Sequence, residues 1–102
     1  MRFTASEIAS ATGGSLTGAD VQIDGAGIDS RTIGSGQLFV PIVADRDGHD
    51  FIPQALSAGA AAYLTARPPV PDAAASAIEV EDTARALMAA VSYTHLRAHE
   101  TS

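Results

Sequence analysis

The alternation of apolar and polar positions changes period several times along the chain, and each change predicts an element. Thr4-x-x-Glu7 is a capping box: the Thr4 hydroxyl can accept from the Glu7 amide while the Glu7 carboxylate reaches back to the Thr4 amide. Phe3 and Ile8 have the spacing of a hydrophobic staple, and Gly13-Gly14 supplies a stop, so residues 4–12 are expected to be helical. "VQIDGAGI" (21–28) alternates Val21 and Ile23, slips at Gly25, and resumes with Ala26 and Ile28, which reads as one strand bulged at a glycine. "QLFVPIV" (37–43) is a short apolar run typical of a buried strand, with Pro41 marking an edge or an exit.

A helix should follow, with Asp50 as N-cap, Pro53 in the first turn, Ala55 and Leu56 facing inward, and Gly59 as terminator. "AAAYL" (60–64) and "AIEV" (77–80) read as further strands, separated by a loop, "TARPPVPD", whose prolines cannot join a ladder. A last helix begins near Asp82, with Ala84, Leu87, Met88 and Val91 on one face. Strand and helix alternate from residue 37 onward. The expected fold class is therefore α/β: a small mixed sheet with short helices and at least one parallel crossover.

Composition narrows the chemistry. At 102 residues the chain is sized for one domain, and 46% hydrophobic with 18% charged residues suits a globular protein. No apolar run approaches the ~20 residues of a membrane span, and the N-terminus lacks the apolar core of a secretory signal, so a cytoplasmic location is expected. A net charge of −6, with basic residues scattered, argues against a nucleic-acid partner. There is no cysteine, hence no disulfide and no thiolate nucleophile. All six basic residues are arginines, so the chain cannot carry the lysine-containing P-loop that cradles ATP phosphates.

The final stretch, "VSYTHLRAHETS", differs in character. His95 and His99 stand four apart and could share a helix face as metal ligands, but two ligands do not close a site, and an exposed pair is the plainer reading. A third reading is that "VSYTHLRAHET" resembles one translated frame of a transposase-type sequencing adapter. On that reading the natural sequence diverges near residue 91, residues 91–102 take no part in function, and residues 92–102 are expected to be dispensable for stability.

Two polar loops remain. Asp29-Ser30-Arg31 ends a strand, where α/β folds place ligand loops, although three such residues also make an ordinary turn in which Arg31 pairs with a surface carboxylate. "ADRDGHD" has the same ambiguity: Asp47-Gly48 is a turn signal, and His49 can simply flank a helix.

Taken together, "GIDSRTIGSGQLFVPIVADRDGHDFIPQALSAGAAAYL" resembles the N-terminal, UDP-binding domain of the Mur ligase family. That pattern runs Asp-Ser-Arg, Gly-x-Leu-Phe-Val, Asp-Gly-His and Ala-x-x-x-Gly-Ala, and it matches in order and spacing over about forty residues. The resemblance covers residues 1 to about 90. "EIASATGGSL" and "DGHDF" are more similar to the family member that adds D-alanyl-D-alanine to UDP-N-acetylmuramoyl-tripeptide than to the preceding diaminopimelate- or lysine-adding one. The resemblance implies that the loops meet the uridine diphosphate end of that precursor. The Ile28 backbone and Ser30 would lie against uracil and ribose, with Arg31 locking the loop or facing the diphosphate, and Ala44, Asp45 and Arg46 would form the second nucleotide loop. This second loop departs from the pattern, being one residue shorter before Asp-Gly and having Ala44 where a glycine is common.

The family's reaction passes through an acyl phosphate made with ATP and Mg²⁺, and these would be bound by central and C-terminal domains outside this chain. The chain alone is expected to hold one end of the substrate without catalytic residues or cofactors, as a monomer. A nucleotide-sugar binding module without catalysis fits the same residues.

Overall fold

The computed structural model describes residues 2–42, 48–68 and 75–100. Strand β1 (Arg2–Thr4) leads into helix α1 (Ala5–Thr12), and the capping box is present in full: Glu7 N donates to Thr4 Oγ1 at 3.1 Å and Thr4 N to Glu7 Oε1 at 3.2 Å. Gly13 closes the helix in the left-handed conformation, while the Gly14 amide reaches Ala9 O at 2.9 Å. Phe3 and Ile8 are both buried in one cluster, as a staple requires.

Strands β2 (Ser15–Thr17), β3 (Gln22–Asp24), β4 (Ala26–Gly27) and β5 (Leu38–Phe39) follow. After them come a 3₁₀ turn at Gly48–Phe51, α2 (Ile52–Ser57), β6 (Ala62–Thr65), β7 (Ser76–Glu79) and α3 (Thr83–Glu100). The main sheet has the order β2-β7-β6-β5-β4, parallel throughout except for β2, which runs antiparallel to β7. The expected small mixed α/β sheet is therefore what forms.

Residues 21–28 correct the reading of a single bulged strand. They make two strands in two sheets: β3 pairs antiparallel with β1, and β4 pairs parallel with β5. The residue between them, Gly25, has φ 89°, a conformation that L side chains rarely adopt, and it turns the chain from one sheet into the other. A bulge and a change of sheet leave the same trace in a sequence, one slipped residue at a glycine.

Both faces of the sheet are covered. Leu38, Val40, Ala62, Leu64 and Ile78 point into a cluster with Phe3, Ile8, Ile23, Ala86 and Ala90 under α1 and α3. Their neighbours Phe39, Tyr63 and Ala77 point the other way, to Ile33, Ile52, Ala55 and Ala60. Period-two alternation persists, but each strand reads as continuously apolar because neither face meets water.

Two further expectations are corrected. Asp50 is not the N-cap of α2. The preceding 3₁₀ turn places Phe51 there without a side-chain cap, and Asp50 faces Arg67 at 3.5 Å. The buried face of α3 is Thr83, Ala86 and Ala90, with Leu87 half-buried, whereas Ala84, Met88 and Val91 are exposed. Small residues face inward where α3 packs against α1 and β6. Asp82 does open the helix, its Oδ1 accepting from the Ala84 and Arg85 amides at 2.9 and 3.2 Å. Finally, α3 runs on into the terminal stretch, where Tyr93 stacks edge-on against Phe3 at 5.9 Å and donates its hydroxyl to Glu7 Oε2 at 2.8 Å. Tyr93 thus packs against Phe3 and Glu7, and truncation decides whether residues 92–102 are dispensable for stability.

Two substitutions test this packing. Tyr93→Phe removes the hydroxyl that bonds Glu7 and should cost about 1 kcal/mol in denaturant unfolding, while truncation after Tyr93 should cost less than truncation before it. Gly48 lies against the turn of chain at Ile42: a Cβ there would come within 2.6 Å of Ile42 N and 2.8 Å of Ile42 O. Gly48→Ala should lower the melting temperature by roughly 10 °C, as a backbone clash of about 2 kcal/mol does in a domain of this size. Melting at the wild-type temperature would contradict the close approach.

Candidate functional site

Because β4 and β5 are adjacent and parallel, the segments leaving their C-terminal ends emerge side by side. The ladder between them is short: Leu38 N donates to Gly25 O and Val40 N to Gly27 O, each at 2.9 Å. Beyond β4 comes the loop Ile28–Ile33, and beyond β5 the chain runs through Val40 and Pro41 to Ile42. A turn at residues 34–37 braces the first loop from below. Gly34 N donates to the Gln37 side chain at 2.7 Å, and Gly36 N donates to Gly59 O at 2.9 Å, tying the turn to the end of α2. Outside the carboxyl ends of parallel strands is where open α/β sheets hold ligands.

A cleft of about 460 Å³ opens at this edge, lined by Ile28, Asp29, Ser30 and Arg31 from the first loop and by Phe39, Ile42, Gly48, Phe51 and Gln54 from β5 and the approach to α2. Of the six residues expected at the site, the structure brings Ile28, Ser30 and Arg31 to this cleft; Ala44, Asp45 and Arg46 lie outside the described residues. Ile28 is 58% exposed although apolar. Ser30 is 7% exposed, and its hydroxyl donates to Gln54 Oε1 at 3.2 Å. An exposed apolar side chain beside a buried hydroxyl makes a surface that can take a flat ring on one side and a hydrogen-bonding edge on the other.

Arg31 is held by its own loop. Its Nε donates to Asp29 Oδ1 at 3.1 Å and its Nη2 to Asp29 Oδ2 at 3.0 Å, while its backbone amide also donates to Asp29 Oδ1 at 2.9 Å. Side-chain hydrogen bonding from Arg31, then its backbone amide, holds the Asp29 carboxyl below the usual carboxylate range, and the same fork raises the Arg31 guanidinium further. The Arg31 side chain is 80% exposed, so the pair adds little to fold stability; its effect is to order the loop. The reading of Asp-Ser-Arg as a turn locked by a surface carboxylate is thus realised for Asp29 and Arg31, while Ser30 alone turns inward.

His49 does more than flank a helix. It is 5% exposed, and its Nε2 accepts from the Ala66 amide at 2.9 Å, fastening the turn before α2 to the end of β6. That bond places the ring proton on Nδ1. Sequence reasoning missed Gln54, Phe51 and Ile42 as lining residues. No local pattern marked Gln54, which is exposed on α2 between the buried Ile52 and Ala55 and meets Ser30 across 24 residues of chain.

A second hollow, of about 230 Å³, lies between α1, α3 and β3 and is lined by Phe3, Ile8, Ile23, Leu87 and Val91 among others. Its walls are almost wholly apolar and offer nothing to orient a polar ligand, so the cleft at the strand ends is the stronger site. Among the described residues no three His, Cys, Asp or Glu side chains are grouped to hold a metal ion. No described helix is long and apolar enough to cross a membrane.

Comparison with known proteins bears on the same residues. The profile described as Mur ligase family, catalytic domain, matches residues 22–98. The chain is 47% identical over 68 residues to UDP-N-acetylmuramoyl-L-alanyl-D-glutamate–2,6-diaminopimelate ligase of Oceanobacillus iheyensis, which covers 65% of this chain and 14% of that protein. It is 41% identical over 66 residues to UDP-N-acetylmuramoyl-tripeptide–D-alanyl-D-alanine ligase of Escherichia coli, covering 64% and 15%. Among solved structures, MurF from Acinetobacter baumannii superposes with a TM-score of 0.77 at 28% identity over 88% of this chain and 20% of that one. MurF ligase from Thermotoga maritima, in complex with ADP, superposes at 0.56 with 31% identity over 64% and 15%. The chain therefore spans about a seventh of the length of these sequence relatives. With a family profile matched over most of its residues and a shared architecture, this chain belongs to the Mur ligase family.

Proposed function

We propose that this chain is the N-terminal part, residues 1–90, of an ATP-dependent peptide-bond-forming ligase of peptidoglycan precursor synthesis, and that its cleft holds the uridine diphosphate end of UDP-N-acetylmuramoyl-tripeptide. The observation that carries the reading is the pairing of β4 with β5, which sets the Asp29-Ser30-Arg31 loop beside the chain leaving β5 and presents the Ser30 hydroxyl inside a cleft walled by Ile28 and Phe51. Uracil is a flat ring with a polar edge, and the cleft offers an apolar wall and a polar floor. The unshared donors of Arg31 are exposed at the rim, suited to a diphosphate. Ala44, Asp45 and Arg46 complete the proposed contacts.

In the full-length protein the second substrate is D-alanyl-D-alanine. The diaminopimelate- or lysine-adding reaction is the alternative, since relatives of both kinds match. ATP and Mg²⁺ do not fit the residues of this chain, which has no lysine for a phosphate-binding loop; they belong to the remainder of the enzyme. We place the enzyme in the cytoplasm as a monomer and read residues 91–102 as adapter-derived, a point that sequencing the source DNA across codons 88–102 resolves.

Two outcomes are expected. Ser30→Ala should weaken binding of UDP to the chain by roughly fivefold to tenfold in calorimetry, the effect of about one hydrogen bond, with a melting temperature within a few degrees of wild type. Unchanged affinity would reduce Asp-Ser-Arg to a turn. The purified chain should also release no phosphate from ATP with Mg²⁺ and the muramoyl-tripeptide, and detectable release would show that it carries catalytic groups of its own.

A further inference from the structure

Gln54 is the one side chain from α2 that touches the first loop inside the cleft through a described hydrogen bond. Its place follows from the helix: Ile52 and Ala55 are buried under the sheet, so Gln54 projects toward the strand ends. The direction of the bond matters. Ser30 has a single proton and donates it to Gln54 Oε1, so Ser30 Oγ is left with lone pairs only, and Gln54 Nε2 is left with its two protons. Ser30 is 7% exposed, and turning its proton into the cleft would break the bond to Gln54.

We infer that Gln54 is a positioning and specificity residue of the cleft: by taking the Ser30 proton it presents an acceptor, Ser30 Oγ, beside a donor, Gln54 Nε2, a pair that matches the imide edge of uracil and mismatches cytosine. The inference rests on the nucleotide reading of the cleft and deepens it. Uracil offers an N3–H donor next to the O4 acceptor, opposite in sense to the protein pair. Cytosine offers an N3 acceptor next to an N4 amino donor, so acceptor would face acceptor and donor would face donor. A site built to hydrogen-bond one edge rejects the other because its buried polar groups are left unpaired.

The test is calorimetric titration of the 102-residue chain with UDP and, separately, with CDP. The expected wild-type result is UDP binding at least about tenfold tighter than CDP. In Gln54→Leu, whose own side chain is exposed, the melting temperature should fall by no more than the several degrees that loss of the Ser30 bond costs, UDP affinity should fall and the preference over CDP should collapse toward one. The double variant Ser30→Ala/Gln54→Leu should lose less UDP affinity than the sum of the two single losses, because part of the effect of Gln54 is exerted through Ser30. A Gln54→Leu variant that binds UDP with the wild-type preference overturns the role of Gln54 and leaves the nucleotide reading standing. Equal wild-type affinity for UDP and CDP overturns the donor–acceptor match, again leaving the cleft as a nucleotide site. Wild-type chain that binds neither nucleotide overturns both. Losses that simply add in the double variant contradict action through Ser30.

Discussion

Two backbone hydrogen bonds, Leu38 N to Gly25 O and Val40 N to Gly27 O, determine what this fold can hold. They set β4 parallel to β5, and parallel neighbours end at the same edge. Had the second strand run antiparallel, the Asp-Ser-Arg loop and the segment after Phe39 would have left from opposite ends of the sheet. Everything at the candidate site is arranged around that shared edge. Gly25 frees β4 from the β1–β3 pair so that it can join the main sheet, the 34–37 turn supports the first loop, and α2 returns along the opposite face to bring Gln54 over Ser30.

The division of labour within the first loop follows from the geometry of its three polar residues. Asp29 and Arg31 satisfy each other at the surface, so the loop is ordered without taking polar groups into the core. Ser30, between them, is turned inward by the same constraint and must find a partner there. A loop locked by its own ion pair keeps its shape before a ligand arrives, which lowers the entropy cost of binding. His49 does the same for the opposite wall, since its bond to the Ala66 amide fixes the turn that carries Gly48 and Phe51.

Much of this was legible in the sequence, for reasons that can be named. The capping box at Thr4 and Glu7 and the stop at Gly13 are local chemistry, fixed by residues within one turn of each other, and the structure follows them. The apolar runs at 37–43, 60–64 and 77–80 announced strands buried on both faces. What could not be read was decided by distant partners. A slip at Gly25 does not say which sheet each half of 21–28 will join, because β1 and β5 make that choice. Asp50 looked like a cap until the 3₁₀ turn moved the helix start past it. The apolar row of α3 at 84, 87, 88 and 91 does not say which side meets the core, because that choice is made by α1 and β6, which take in Ala86 and Ala90 and leave Met88 in solvent. At the candidate site, Ser30 and Arg31 stand where a strand end announces a loop and Ile28 follows only from the family resemblance, whereas Gln54 meets Ser30 across 24 residues of chain, a separation at which spacing carries no signal.

The central claim is that the edge shared by β4 and β5 is a site for uridine diphosphate, and amide chemical-shift mapping of the isotopically labelled chain during titration with UDP tests it most directly. The account predicts saturable shifts concentrated at residues 28–31 and 48–54, with the apolar hollow between α1 and α3 unmoved. Shifts centred on that hollow, or none anywhere at saturating nucleotide, would contradict it.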